Sequence, residues 1–353
     1  MRHSALAFGL AIGTIAGVFA SMAEAAPCLK VTLTGTQGGP PVFNGLSGSG
    51  TLVEFGDEEN GCSDMRLQFD AGRGTTQQLS KLGVSIGQLK AVFLTHLHSD
   101  HTDGLADMMQ LRWHFNSAGP KLDLVCTNDT KSPAGHVMSC AKLAAHIADP
   151  FIQSGEMAQR LAENDTRLPG GPADLINLST FEATDDATTV WSSGEVKVSA
   201  IASRHIAGHA SFRVDTPAGS VVIGGDAGNN TTKPPRSSST SDQVEELAMG
   251  ADVIVHSAIH PAMGPDNDSG FPPPIYFRQS TATDLGALAA RTGARYLMLT
   301  HLIPPMGAVK QGPFPIPGGP LTEASYMEAV SEGGFQGNII VGTDLASVTL
   351  VKQ

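Results

Sequence analysis

The sequence predicts a mixed α/β fold. Three observations carry that reading: short β-like runs recur along the chain, helical patterns fall between them, and glycine and proline exceed their usual share. Of 353 residues, 41% are hydrophobic and 16% are charged, so apolar material for a buried core is ample. The 40 glycines and 22 prolines stand above average usage of about 7% and 5%, which points to long ordered loops rather than a helical bundle.

In chain order, strand signals fall at Lys30–Leu33, Thr51–Phe55, Arg66–Phe69 and Ala91–Thr95. Each is a short apolar or alternating run bounded by Gly, Pro or Asp turns. The later runs are Val196–Ile201, Ala210–Asp215, Ser220–Gly224, Val253–His256, Tyr296–Thr300, Asn338–Val341 and Ser347–Val351. Helical spacing appears at Thr75–Leu82, Leu105–Phe115, Ala141–Ala162 and Thr281–Arg291, the last opened by Thr281-x-x-Asp284 with capping-box-like spacing. The segment 128–180 has few strand signals and reads as a helical insertion, while the Pro-rich stretches 261–274 and 303–320 read as ordered loops. No short repeat and no low-complexity linker divides the chain, so residues 26–353 are expected to form one domain.

Charge and termini set further expectations. Lys and Arg number 22 against 34 Asp and Glu, a net charge of −12 without any basic run. Gripping a phosphate backbone rests on neutralising several phosphates with basic side chains, so the balance predicts no nucleic-acid partner. Residues 1–25 carry Arg2, the apolar run Ala5–Ala20 and then Ala23-Glu24-Ala25. That pattern predicts a secretory signal peptide and hence a periplasmic or secreted protein. The apolar run falls short of the roughly 20 residues that span a bilayer, so no stable membrane insertion is expected after cleavage. Four cysteines, Cys28, Cys62, Cys126 and Cys140, permit three pairings. Cys28–Cys62 with Cys126–Cys140 is the sequence-local choice, and the other pairings stay open.

The chemistry concentrates at 92–101, where Val-Phe-Leu-Thr leads into His96-Leu-His98-Ser-Asp100-His101. A strand ending at His96 would place His96 and His98 on one face by its period of two, and the following turn would bring Asp100 and His101 to the same end. Neutral imidazoles with a carboxylate suit zinc and related divalent ions.

Thr95–His101 resembles the HxHxDH signature of the metallo-β-lactamase fold. The resemblance extends to Gly48–Glu54 and Leu67–Gly74 upstream, and to Arg204-His205, Gly224-Gly-Asp226, Val255-His256 and Leu299-Thr-His301 downstream, covering roughly residues 30–350. It implies a four-layer αβ/βα sandwich with a metal cleft where strand ends meet. It also implies that His96, His98 and His205 hold one metal ion, that Asp100, His101 and His301 hold a second, and that Asp226 bridges them. His209 is a rival for the place of His205. The implied cofactor is two zinc ions, other divalent metals being possible, and the implied reaction is hydrolysis by a metal-bridging hydroxide, with Asp100 and Asp226 taking part. Asp70 is the candidate for fixing an imidazole tautomer.

Within that superfamily the pattern is most similar to the branch of ribonuclease Z, arylsulfatases and other phospho- and sulfo-ester hydrolases. Two departures stand out. His256-Ser257-Ala258 replaces a His-Glu-Ala, and Gln279-Ser280-Thr281 replaces a His-Ser-Thr whose histidine contacts the scissile phosphate or protonates the leaving group. Glutamine donates a hydrogen bond but cannot shuttle a proton at neutral pH, so small-molecule esters with good leaving groups, aryl sulfates or phosphodiesters, are expected first. A lactone or β-lactam is the runner-up, and a non-catalytic zinc-binding module the rival class. His256 is the expected replacement acid, with His209, His260 and Gln279 as further substrate contacts.

Overall fold

The computed structural model describes residue 1, residues 25–115 and residues 119–352; nearly all of the expected signal segment 1–25 therefore lies outside the described residues. The chain opens with β1 (Pro27–Gly35), β2 (Gly50–Asp57), β3 (Met65–Phe69), α1 (Thr75–Lys81), β4 (Ala91–Phe93), α2 (Ser99–Phe115) and β5 (Leu122–Thr127). A small hairpin, β6 (Thr130–Lys131) and β7 (Val137–Met138), leads to α3 (Cys140–Ala145), α4 (Asp149–Gln153), α5 (Glu156–Glu163) and β8 (Ile176–Phe181). The second half runs β9 (Thr188–Ser193), β10 (Val196–Ala202), β11 (Ala210–Thr216), β12 (Gly219–Ile223), α6 (Asp242–Ala248), β13 (Val253–Ile259), α7 (Pro273–Tyr276), α8 (Ala282–Thr292) and β14 (Tyr296–Ile303). It closes with the hairpin β15 (Lys310–Gln311) and β16 (Phe314–Pro315), then α9 (Glu323–Glu332), β17 (Asn338–Val341) and β18 (Ser347–Val351).

Two seven-stranded mixed sheets result, ordered β18-β1-β2-β3-β4-β5-β8 and β17-β14-β13-β12-β11-β10-β9. Their central strands are apolar on both faces because each sheet is covered on both sides there. Val253 and Val255 of β13 and Met298 of β14 point between the sheets, while Ile254, Leu297 and Leu299 point out to the helices. Between the sheets Phe69 and Phe93 stack at 4.7 Å, and Phe212 meets both rings at 5.6–5.7 Å from the opposite sheet. Outside the first sheet Leu79 of α1 and Leu105, Met108 and Trp113 of α2 bury against Val92 and Leu124. Outside the second, Leu247 of α6, Leu285 and Leu288 of α8 and Tyr326 of α9 do the same. This is the expected αβ/βα sandwich, each large apolar side chain contributing about 1.5–3 kcal/mol by burial.

Several boundaries differ from the sequence expectation for local reasons. The helical run 141–162 is three helices, broken where Pro150 enters the first turn of α4 and where Gly155 takes a left-handed φ of 83°. The insertion 128–180 ends in β8, which extends the first sheet beside β5. Helix α2 starts at Ser99, six residues earlier than its apolar spacing suggested, so Asp100 and His101 lie in its first turn. Two disulfides, Cys28–Cys62 and Cys126–Cys140, tie β1 to the loop before β3 and β5 to the start of α3, the sequence-local pairing. Among the described residues no helix is long and apolar enough to cross a membrane.

Candidate metal centre

The cluster forms along one edge of the sandwich. Strand β4 delivers the loop carrying His96 and His98, and α2 delivers Asp100 and His101. Across the cleft the loops after β10 and β12 bring His205 and Asp226, and β14 brings His301. Ligand atoms lie within 4.8 Å of one another in three sets: His96, His98 and His205; His96, His101 and Asp226; Asp100, His101 and His301.

Asp226 is the residue that touches both sides. Its carboxylate oxygens lie 3.7 Å from His205 Nε2, 3.5 Å from His101 Nε2 and 3.3 Å from His301 Nε2. His98 Nδ1 is 3.4 Å from His205 Nε2, and Asp100 Oδ2 is 3.0 Å from His301 Nε2. His96 Nε2, His101 Nε2 and Asp226 Oδ1 are buried without a hydrogen-bond partner. Each unsatisfied buried polar atom costs about 1–3 kcal/mol, so their convergence fits a bound divalent cation.

The electrostatics agree with that fit. Burial opposes charge on His101, but Asp70 and Asp226 outweigh it and hold its pKa well above the ordinary value. The pocket is thus one in which buried carboxylates favour a positive charge. Burial would likewise raise Asp100, yet the hydrogen bond and charge of His301 bring it down to about 2. Burial pushes His96 well below its ordinary value and His205 down to about 4, so both imidazoles are neutral and able to ligate at pH 7.

Hydrogen bonds fix the rings. Asp70 Oδ2 accepts from His101 Nδ1 at 2.7 Å, which leaves Nε2 free to face the cluster. The same carboxylate accepts from the Thr95 amide and hydroxyl. Asp70 and His301 both have positive φ, 54° and 46°, a backbone state that costs about 1–3 kcal/mol and concentrates at functional sites.

The Gly224-Gly225-Asp226 turn has a packing reason. A Cβ on Gly224 would meet His256 Cδ2 at 2.1 Å, and one on Gly225, whose φ is +60°, would meet His209 Nε2 at 2.9 Å. His209 Nε2 accepts the Asp226 amide at 3.1 Å, and its Nδ1 bonds Ser203 Oγ at 2.8 Å. Both nitrogens are therefore engaged within the protein. His209 contacts the metal cluster from behind, where the sequence placed it as a substrate contact or a third ligand.

The other expected proton donors are also displaced from the cleft. His256 is fully buried, its Nδ1 donates to the Ser257 carbonyl at 2.8 Å, and it does not line the cavity over the cluster. His260 bonds the Ser325 carbonyl and accepts from the Ala262 amide, and it is likewise absent from that lining. The β pattern of 253–259 explains this: His256 sits within a strand whose residues are all buried. Gln279 does line the cavity.

That cavity, about 400 Å³, opens over His98, Asp100, His205, Asp226 and His301. Pro40, Pro41, Phe271 and Phe314 wall it, so both Pro-rich loops contribute to it. Sequence reasoning gave no site role to the loop at 39–41, whose Gly39 amide lies 3.0 Å from His301 Nε2, although Gly39 ends a stretch, Thr34–Gly39, that resembles the ribonuclease Z branch; it missed Arg278, which stands in no motif with a recognisable spacing.

Comparison with known proteins places this geometry. The family described as Anti-Pycsar protein Apyc1 matches residues 60–137, which include the His96–His101 motif. A ribonuclease Z of Mycobacterium bovis is 28% identical over 323 residues, covering 91% of this chain and 98% of that protein. Among solved structures, the metallo-β-lactamase fold protein YhfI of Bacillus subtilis superposes with a TM-score of 0.57 at 17% identity, covering 92% of this chain and 99% of that one. Human tRNase Z, short form, gives a TM-score of 0.55 at 16% identity, covering 90% of this chain and 98% of that one.

These findings correct two expectations. Full-length similarity to proteins named for acting on RNA overturns the exclusion of nucleic acid that net charge suggested; a net charge averages over the surface and says nothing of the few groups in one cleft. The same similarity overturns the assignment to the periplasm or exterior, since the relatives are ribonucleases along nearly their whole length.

Proposed function

Taking the chain as a hydrolase of the metallo-β-lactamase-fold superfamily, similar to its ribonuclease Z branch, we propose that it cleaves phosphodiesters at two divalent metal ions. His96, His98 and His205 would hold one ion, Asp100, His101 and His301 the other, with Asp226 shared. Zinc suits this donor set of imidazoles and carboxylates. The observation that carries the reading is Asp226, which stands within 3.3–3.7 Å of imidazoles from both sets beneath an open cavity.

Ions bound there supply Lewis acidity to the ester's oxygens and bring the pKa of water towards neutrality. The chain's own residues prepare the rest. Asp70 holds the His101 tautomer, and His209 fixes the backbone amide from which the Asp226 carboxylate projects. Gln279 lines the cavity and can donate a hydrogen bond to a departing oxygen without passing it a proton. His256, packed on Gly224, supports the turn rather than serving as the acid. Substrates whose leaving group departs unaided are therefore favoured, aryl phosphodiesters first, with RNA linkages inside the proposed class. Aryl sulfates present the same singly charged tetrahedral centre, and the apolar wall suits their ring.

The test is turnover by zinc-loaded protein of bis(p-nitrophenyl) phosphate, p-nitrophenyl sulfate and a single-stranded RNA oligonucleotide. Diester cleavage that disappears in His96→Ala supports the reading. Zinc binding with no cleavage of any phosphodiester contradicts it.

A further inference from the structure

Arg278 stands at the junction of two cavities. It follows α7 and lines both the cavity over the metal cluster and a larger groove of about 1050 Å³ bounded by the loops at 127–133 and 202–209. Among the described residues, His205 is the only other one common to both linings.

The other partly or fully buried arginines among the described residues have partners. Arg112 donates to three carbonyls, Arg66 pairs with Glu54, and Arg236 donates to the Phe277 carbonyl. The Arg278 guanidinium makes no hydrogen bond or ion pair among the described residues, and its Nε is buried without a partner. Its positive charge reaches His98 and His205, lowering the pKa of each alongside the larger effect of burial. A guanidinium left without an acid beside a cleft is a fixed fork of donors, matched in geometry to the oxygens of a phosphoryl group.

The two compartments differ in chemistry. Pro40, Phe271 and Phe314 make the first apolar. The second carries Lys131 and Arg204 together with Asp129 and Glu182, and is the more polar of the two.

We propose that Arg278 receives a non-bridging phosphoryl oxygen of the substrate, and that this substrate is a diester with an aromatic arm in the apolar cavity and a hydrophilic arm in the polar groove. The proposal rests on the phosphodiesterase reading above and names its substrate class. A diester whose two arms differ in this way fits both compartments, whereas a small symmetric aryl diester fills only one.

Thymidine 5′-(p-nitrophenyl) phosphate carries one arm of each kind, and methyl p-nitrophenyl phosphate lacks the hydrophilic one. Zinc-loaded wild-type protein is expected to show a lower KM for the thymidine diester; equal KM values would overturn the two-compartment assignment. Arg278→Met should lower kcat/KM on the thymidine diester roughly 10²-fold, the scale of losing one donor to a developing oxyanion, with Arg278→Lys falling between. Inhibition by inorganic phosphate should weaken in parallel, since it needs the clamp and not the arms. Unchanged kcat/KM in Arg278→Met, or a loss of activity with unchanged phosphate affinity, would overturn the role of Arg278. If wild type cleaves no diester, the reading of the site as a phosphodiesterase fails. Phosphate binding by calorimetry then decides Arg278 alone: weaker binding by Arg278→Met upholds the clamp, and equal binding removes it.

Discussion

The first half of the metal cluster, His96 to His101, comes from one loop and the first turn of α2, whereas His205, Asp226 and His301 come from three strand ends or strands far apart in the chain. The halves are also held differently. The first is tied by hydrogen bonds from Thr95 and His101 to one carboxylate, Asp70, in a region closed by two disulfides. The second has no disulfide among the described residues and depends on close packing of His209 and His256 against two glycines. A local constellation is thus braced by covalent and charged contacts, and a dispersed one by steric fit and the register of the sheet.

That contrast can be broken most sharply at the residue joining the halves. Asp226→Ala should abolish diester hydrolysis and lower zinc content more than His98→Ala, because Asp226 faces imidazoles of both sets. Metal analysis beside a chromogenic assay checks this, and near-normal turnover of Asp226→Ala at saturating zinc would refute the shared role. Next in size is the staple. Replacing Cys126 and Cys140 by alanine opens a loop of sequence separation 14 and should cost about 3 kcal/mol in denaturant unfolding, with hydrogen-exchange protection lost first in α3 and α5 of the same half.

A smaller effect is expected at Asp70. Asp70→Asn keeps a hydrogen-bond acceptor but removes the charge that orients His101, and loss of such a support typically lowers metal affinity or activity about 10–100-fold. An unaltered zinc affinity would show that Asp70 matters only to folding. The mildest test is acid titration of the metal-free protein. His205 has a folded pKa of about 4 against an ordinary 6.5, so the unfolded chain binds more protons between those values. Its share of stability is therefore full above pH 6.5 and lost as pH falls towards 4. His205→Gln should flatten that dependence in urea titrations, and an unchanged slope would contradict the assigned burial effect.

The same contrast explains what was legible in the sequence. The His96–His101 cluster and most of the apolar strands are written in local spacing, and so could be read directly. His205, Asp226 and His301 are single residues whose convergence depends on sheet order, and only resemblance to a superfamily assembled them. Strand β8 escaped notice because it is an edge strand with mostly exposed residues, and α2 was read six residues short because its first turn is polar metal-cleft chemistry, not apolar spacing. His256, expected as the proton donor, lies packed within β13, because a strand buried on both faces hides a histidine as readily as a valine. Arg278 carries no motif at all; only the two cavities meeting at its guanidinium single it out.

Central to the account is a pair of ions sharing Asp226. Stepwise addition of zinc to the metal-stripped protein, with bis(p-nitrophenyl) phosphate turnover followed at each step, tests it most directly. The account predicts binding that saturates at two zinc ions per chain, with activity rising as the second is taken up. Full activity at one equivalent, or saturation at one, would contradict it.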